Sequence, residues 1–212
     1  MVKSNLKLIL ASASPRRKEL LGHLKLPFEV IALSVPENSD ATDPVKYTSD
    51  IALVKGNAVV DKLSKERASQ NFLIVSADTT VIHEGRIYNK PADRSEARKF
   101  LNDLSGNTHS VYTAVSLCLL LNGQVHRHSF VDESKVTFEK ISPELMELYL
   151  DTGDSLDKAG AYGIQGPSLT FISRVNGSYS NVVGFPLSRF VIETQKFLHQ
   201  HFPGVSSWLS LF

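Results

Sequence analysis

Apolar positions along the chain recur with two periods, about two residues and about 3.6, and the switches between them divide it into elements. Residues 7–11 are largely apolar and β-compatible, and the small residues Ser12, Ala13 and Ser14 lead from them into a helix that ends at Gly22. Ser14 is placed to cap that helix, Pro15 suits its first position, and Arg16 and Arg17 fall in its first turn. Residues 27–32 read as a second strand, followed by a polar loop over 34–44 that contains Glu37. Residues 47–65 have helical spacing, with Ile51, Val54, Ala58, Val59 and Leu63 on the buried face and Lys55 at its edge. Residues 72–76 form a buried strand that ends in Ala77, Asp78, Thr79 and Thr80, and Glu84-Gly85 turns a hairpin over 81–88.

The second half reads the same way. Asp93 and Glu96 make an acidic capping box for a helix over 93–104 that Gly106 closes. A long strand over 108–121 returns through Asn122-Gly123 to a strand over 124–138, with Val136 and Phe138 on one face. Ser142-Pro143-Glu144 starts another helix and Gly153 ends it. Residues 169–175 and 179–183, joined by Asn176-Gly177, predict a final hairpin. A last helix over 185–201 and a short tail that docks Trp208 complete a single domain over residues 1–212, without repeat or linker.

Three stretches carry chemistry beyond this frame. Unpaired N–H groups at a helix N-terminus attract anions, and Arg16 and Arg17 oppose the helix dipole there, a cost that an anion would relieve. Asp78 ends a buried strand, where a carboxylate is expensive unless paired, metal-bound or hydrogen-bonded. Open α/β sheets place their ligands at such strand ends. Residues 157–166, DKAGAYGIQG, hold three glycines, which implies unusual dihedrals or close approach of a ligand. They match neither a P-loop nor the dinucleotide fingerprint.

The net charge of +1 gives no basic surface for a nucleic-acid polymer. Cys118 is the single cysteine, which excludes an internal disulfide and suits a small core residue. His126 and His128 alternate on a strand with no third partner, so a zinc site has little support. No stretch approaches the roughly 20 apolar residues of a membrane span. The early first strand leaves no room for a signal peptide, and a reducing, cytoplasmic setting is the expectation. Arg16, Arg17, Lys55 and Lys90 supply cations from separate elements, and Glu37 and Asp78 supply carboxylates. Brought together, they would suit a polyphosphate held with a divalent metal.

At these residues the chain resembles the Maf family of nucleotide pyrophosphatases. The motifs LILASASPRRKELL, SADTTV, KP, LSG, HSVYTAV and DKAGAYGIQG stand in the family's order across the chain. The resemblance implies an α/β fold: an elongated, mixed, twisted sheet flanked by helices, with two lobes around a cleft, as in inosine-triphosphate-type pyrophosphatases. It implies hydrolysis of dTTP and UTP to the monophosphate and pyrophosphate with Mg²⁺ or Mn²⁺. Asp78 falls at the proton acceptor, Arg16, Thr79 and Gln165 at the specificity positions, and Lys55 and Lys90 at phosphate-binding lysines. Ser12, Ser14 and Arg17 complete the phosphate site, and Glu37 joins Asp78 on the metal. The Gln165 amide and the Thr79 hydroxyl would read the pyrimidine edge. Three alternatives stay open: a non-catalytic nucleotide-binding regulator of cell division, a pyrophosphatase of the 7-methyl-GTP type, and a phosphatase releasing orthophosphate. The expected partner is a nucleoside triphosphate, with no membrane and with a homodimer left open.

Overall fold

The computed structural model describes residues 6–212. Strand β1 (Leu6–Leu10) leads into α1 (Pro15–Gly22), then β2 (Phe28–Val30), α2 (Pro44–Glu66), β3 (Asn71–His83) and β4 (Arg86–Tyr88). Helix α3 (Arg94–Leu104) precedes the long hairpin β5 (Thr108–Leu121) and β6 (Gln124–Phe138). Helix α4 (Pro143–Asp151), β7 (Ile172–Asn176), α5 (Tyr179–Val183) and α6 (Leu187–His201) follow. The seven strands make one sheet in the order β2-β1-β3-β5-β6-β7, with β4 beside β3. β1 runs parallel to β2 and β3, and the remaining pairs are antiparallel.

Local chemistry sets most of these boundaries. Ser14, Asp43 and Ser142 each precede a proline, and each accepts a hydrogen bond from the backbone N–H three residues on. This N-cap and proline pair starts α2 at Pro44, earlier than its apolar spacing predicts. Asp93 caps α3 in the same way, but Glu96 accepts from Ala92 N rather than from the cap residue itself. The turns Glu84-Gly85 and Asn122-Gly123 have positive φ at both positions, as a tight hairpin requires.

Four sequence expectations change. Val54 is exposed, because the face of α2 that meets the sheet is centred on Ala52, Gly56, Val59 and Leu63, and Val54 stands opposite it. The strand over 27–32 shortens to Phe28–Val30 at the sheet edge. Residues 167–170 form a 3₁₀ turn, so β7 begins only at Ile172. Residues 179–183 are helical, not the return strand of a hairpin. There Ser178 Oγ accepts from Asn181 N, and the buried Asn181 amide donates to Val111 O and Ser134 Oγ, so tertiary bonds override strand propensity.

Three apolar clusters surround the sheet. On one face Ile9, Phe72, Ile74, Cys118 and Leu120 pack with Val59, Val60 and Leu63 of α2. On the other, Leu8, Leu10, Leu73, Val75 and Leu117 meet α1, α6 and Trp208 of the tail, docked as expected. Farther along the same strands Val81, Val111, Val136 and Phe138 join α3, α4 and Phe171. α2 sits close because residue 56 is glycine: a Cβ there would stand 2.7 Å from Ser76 Oγ. Ser76 Oγ donates to Ala52 O at 2.6 Å, and the Thr48 and Thr80 hydroxyls meet at 2.8 Å. Ser76 and Thr80 therefore tie α2 down on either side of Asp78.

Candidate active site

β1 pairs with β3 only as far as Val75, and β4 pairs with it only from Val81. Both occupy the edge opposite β5, so among the described residues no strand lies beside 76–80 of β3 on that edge. Asp78 thus lies within a continuous strand instead of at its end, as the sequence suggested, but it does lie where the parallel pairing stops. A cleft of about 750 Å³ opens at this interruption, a volume typical of small-molecule sites. Ser12, Ser14, Arg16, Arg17, Glu37, Lys55, Asp78, Thr79, Lys90 and Gln165 all line it. Every site residue expected from the sequence is therefore in one place.

Side chains alternate across the sheet, so Asp78 and Thr79 face opposite ways. Asp78 turns to the α2 side. Lys55 Nζ stands 2.8 Å from Asp78 Oδ1 and 3.0 Å from Glu37 Oε2, bridging the two carboxylates. Lys55 and Asp78 are only 15% and 14% exposed, which excludes a freely solvated helix lysine. Thr79 turns to the α1 side, where Arg17 Nη2 donates to Thr79 Oγ1 at 3.0 Å and Arg17 Nε donates to Gly184 O at 2.9 Å. Arg17 has no carboxylate within ion-pair distance among the described residues. Burial pushes its guanidinium below the usual pKa, and the Asp78 charge opposes that push. Lys90 likewise has no acidic partner among the described residues. Ser14 Oγ is engaged as the α1 cap, while Ser12 Oγ meets Arg17 Nη1 at 3.3 Å.

The glycine-rich segment forms the facing wall. Arg16 Nη1 reaches Asp157 Oδ2 across the cleft at 3.2 Å. Against the upward push of burial, hydrogen bonds from Lys158 and Arg16 hold the Asp157 carboxyl below its usual range. Lys158 Nζ also contacts Asp154 Oδ1 at 2.8 Å. Gly160 has φ 68° and packs against Val81 so closely that a Cβ would stand 2.9 Å from a methyl carbon, which makes glycine necessary there. Gln165 is exposed in the cleft. The sequence reading did not pick out Asp154, Asp157 and Lys158 as a pairing group, although all lie in or next to the glycine-rich stretch. His128 has an acidic partner, Glu193, at 2.9 Å, and no group of three metal-ligating side chains occurs among the described residues.

The floor beyond the cleft contains a buried imidazole. His109 Nε2 lies 2.7 Å from the hydroxyl of Tyr162, a cleft residue. Burial, with a smaller contribution from the His83 charge, lowers the His109 pKa to about 3 from 6.5. The unfolded chain therefore takes up a proton that the folded protein refuses. The associated stability is complete above about pH 6.5 and is lost as pH falls toward 3. Thermal melts should show the wild type losing about 2–3 kcal/mol by about pH 4.5 relative to His109→Gln. Parallel profiles for the two proteins would contradict a neutral, buried His109.

An α/β protein whose interrupted sheet edge gathers cations from several elements around two carboxylates belongs to the class that binds anionic ligands in a cleft. The chain belongs to the Maf family, whose description as Maf-like protein matches residues 7–197. A protein named dTTP/UTP pyrophosphatase from Bacillus cytotoxicus is 40% identical over 192 residues, covering 90% of this chain and 95% of that one. Its namesake from Deinococcus radiodurans is 41% identical over 182 residues, covering 86% and 88%. Among solved structures, a nucleoside-triphosphatase / dITP/XTP pyrophosphatase from Mycobacterium abscessus overlaps with a TM-score of 0.40 at 14% identity, covering 95% of this chain and 100% of that one. That likeness is loose, and the family rests on the sequence match.

Proposed function

We propose that the protein hydrolyses dTTP and UTP to the nucleoside monophosphate and pyrophosphate. The observation that carries the reading is the Glu37–Lys55–Asp78 group beside the first turn of α1 in one cleft. The names borne by relatives about 40% identical over most of their length support it. The backbone N–H groups of α1, Arg17, Lys55 and Lys90 would hold the phosphates. Asp78 would take the proton of the attacking water while the bond between the α and β phosphates breaks. Arg16, Thr79 and Gln165 would select the base.

A divalent ion fits the donor set. Glu37 and Asp78 each place one oxygen on Lys55, and the second oxygen of each has no hydrogen-bond partner among the described residues. Mg²⁺ or Mn²⁺ commonly takes one or two carboxylates together with substrate phosphates. When bound, it would supply charge neutralisation at the phosphate oxygens. No helix among the described residues is long and apolar enough to cross a membrane. The buried free thiol of Cys118 suits a reducing, cytoplasmic setting.

The test is product identity. Chromatography after incubation with dTTP or UTP should show monophosphate and pyrophosphate, only with Mg²⁺ or Mn²⁺ present. Nucleoside diphosphate and orthophosphate as first products would instead define a phosphatase.

A further inference from the structure

A closed hydrogen-bond circuit joins α1, β3, β5 and α5 on the Thr79 side of the sheet. Arg17 Nη2 lies 3.0 Å from Thr79 Oγ1, Thr79 Oγ1 lies 3.0 Å from Thr113 Oγ1, and Thr113 Oγ1 lies 3.0 Å from Asn181 O. Gly184 N donates to Asn181 O at 2.9 Å, and Gly184 O accepts from Arg17 Nε at 2.9 Å. The two ends of the row of hydroxyls are chemically fixed. A guanidinium only donates and a backbone carbonyl only accepts.

That fixes the direction between them. The Thr113 proton goes to Asn181 O; otherwise two oxygens 3.0 Å apart would face each other without a proton in a buried site. Thr113 has one proton, so toward Thr79 it can only accept. Thr79 must therefore give its own proton to Thr113 and accept from Arg17. What remains at Thr79 for a ligand is a lone pair and no hydrogen.

We infer that Thr113, fully buried and out of reach of any ligand, is a positioning residue that makes Thr79 a pure hydrogen-bond acceptor facing the N3 edge of the base, and so selects bases with a hydrogen on N3. The inference rests on the pyrimidine-nucleotide reading above and deepens it. Uracil and thymine carry a hydrogen at ring position N3, whereas cytosine has a bare lone pair there. An acceptor-only hydroxyl favours the first and repels the second, because a buried polar group left unpaired or facing its like is penalised. The circuit also explains why the reader is a threonine on β3 and not on a loop: its polarity is set by partners on three other elements.

The experiment measures kcat and KM for pyrophosphate release from UTP and CTP, with Mg²⁺, in the wild type, Thr113→Val and Thr113→Ser. Valine removes the acceptor for the Thr79 proton and frees that hydroxyl to turn toward cytosine. The UTP:CTP ratio of kcat/KM should fall about tenfold, through KM more than kcat, because Asp78 and Lys55 lie on the opposite face of β3. Serine keeps the hydroxyl and should restore the ratio. Asn181 O keeps its bond from Gly184 N in either variant, and a thermal melt verifies the fold. A folded Thr113→Val protein with an unaltered ratio overturns the inference. The wild type offers a second measurement that needs no variant: UTP methylated at N3 should be turned over at least about tenfold less well than UTP. Equal turnover of the two overturns the inference while leaving the pyrophosphatase reading in place. No pyrophosphate from any pyrimidine triphosphate overturns both.

Discussion

Asp78→Asn is expected to fold, to bind nucleotide, and to lose turnover by about 10²–10⁴, the contribution of a positioned general base. The change keeps the shape of the side chain and the backbone pairing of β3 with β5. It removes the charge that faces Lys55 at 2.8 Å, but Lys55 still has Glu37 at 3.0 Å. The melting temperature should consequently fall only modestly, since the buried ammonium is not left alone. Ser76 and Thr80 go on anchoring α2 around the site. Pyrophosphate release measured beside a thermal melt separates the two roles. Near-normal turnover would remove Asp78 from the chemistry, and unfolding would make its role structural.

Lys55→Met carries the second large effect and acts on fold and activity together. The substitution preserves the length and apolar stem of this α2 side chain but leaves Glu37 and Asp78 without the cation between them. Removing one partner of a buried pair costs about 3–5 kcal/mol. The lower part of that range applies here, because Glu37 is 53% exposed and partly screened by water. Activity should fall together with stability, unlike Asp78→Asn, where activity falls with little loss of fold. A Lys55→Met protein that melts and turns over like the wild type would show that the bridge contributes neither structure nor phosphate binding.

Much of this was legible in the sequence, for local reasons. Ser14-Pro15, Ser142-Pro143 and Asn122-Gly123 specify caps and turns by chemistry that acts within four residues, and those boundaries stand. Asp78 and Lys55 were visible as a charge at the end of an apolar run and a lysine at the edge of an apolar face. Lys55 is one of several groups the sequence offers to offset the Asp78 charge, beside Lys90 and a metal; that it is the partner depends on how closely Gly56 lets α2 approach β3. The helix at 179–183 was missed because Tyr179, Val182 and Val183 favour strand, while the bonds that decide the matter run from Asn181 to Val111 and Ser134, far away in the chain. Thr113 lies in a recognisable motif, yet nothing local distinguishes it from its neighbours as the partner of Thr79.

Asp78 and Thr79 are adjacent in the chain but project from opposite sides of one uninterrupted strand. A substitution at either alters one side of the cleft alone. The insertion or loss of a single residue just before them would exchange the sides: the carboxylate would turn to Arg17 and the hydroxyl to Lys55. Length, then, is constrained in β3 more tightly than composition: between Asn71 and Thr80 a gap of one residue would re-aim both sides of the cleft at once.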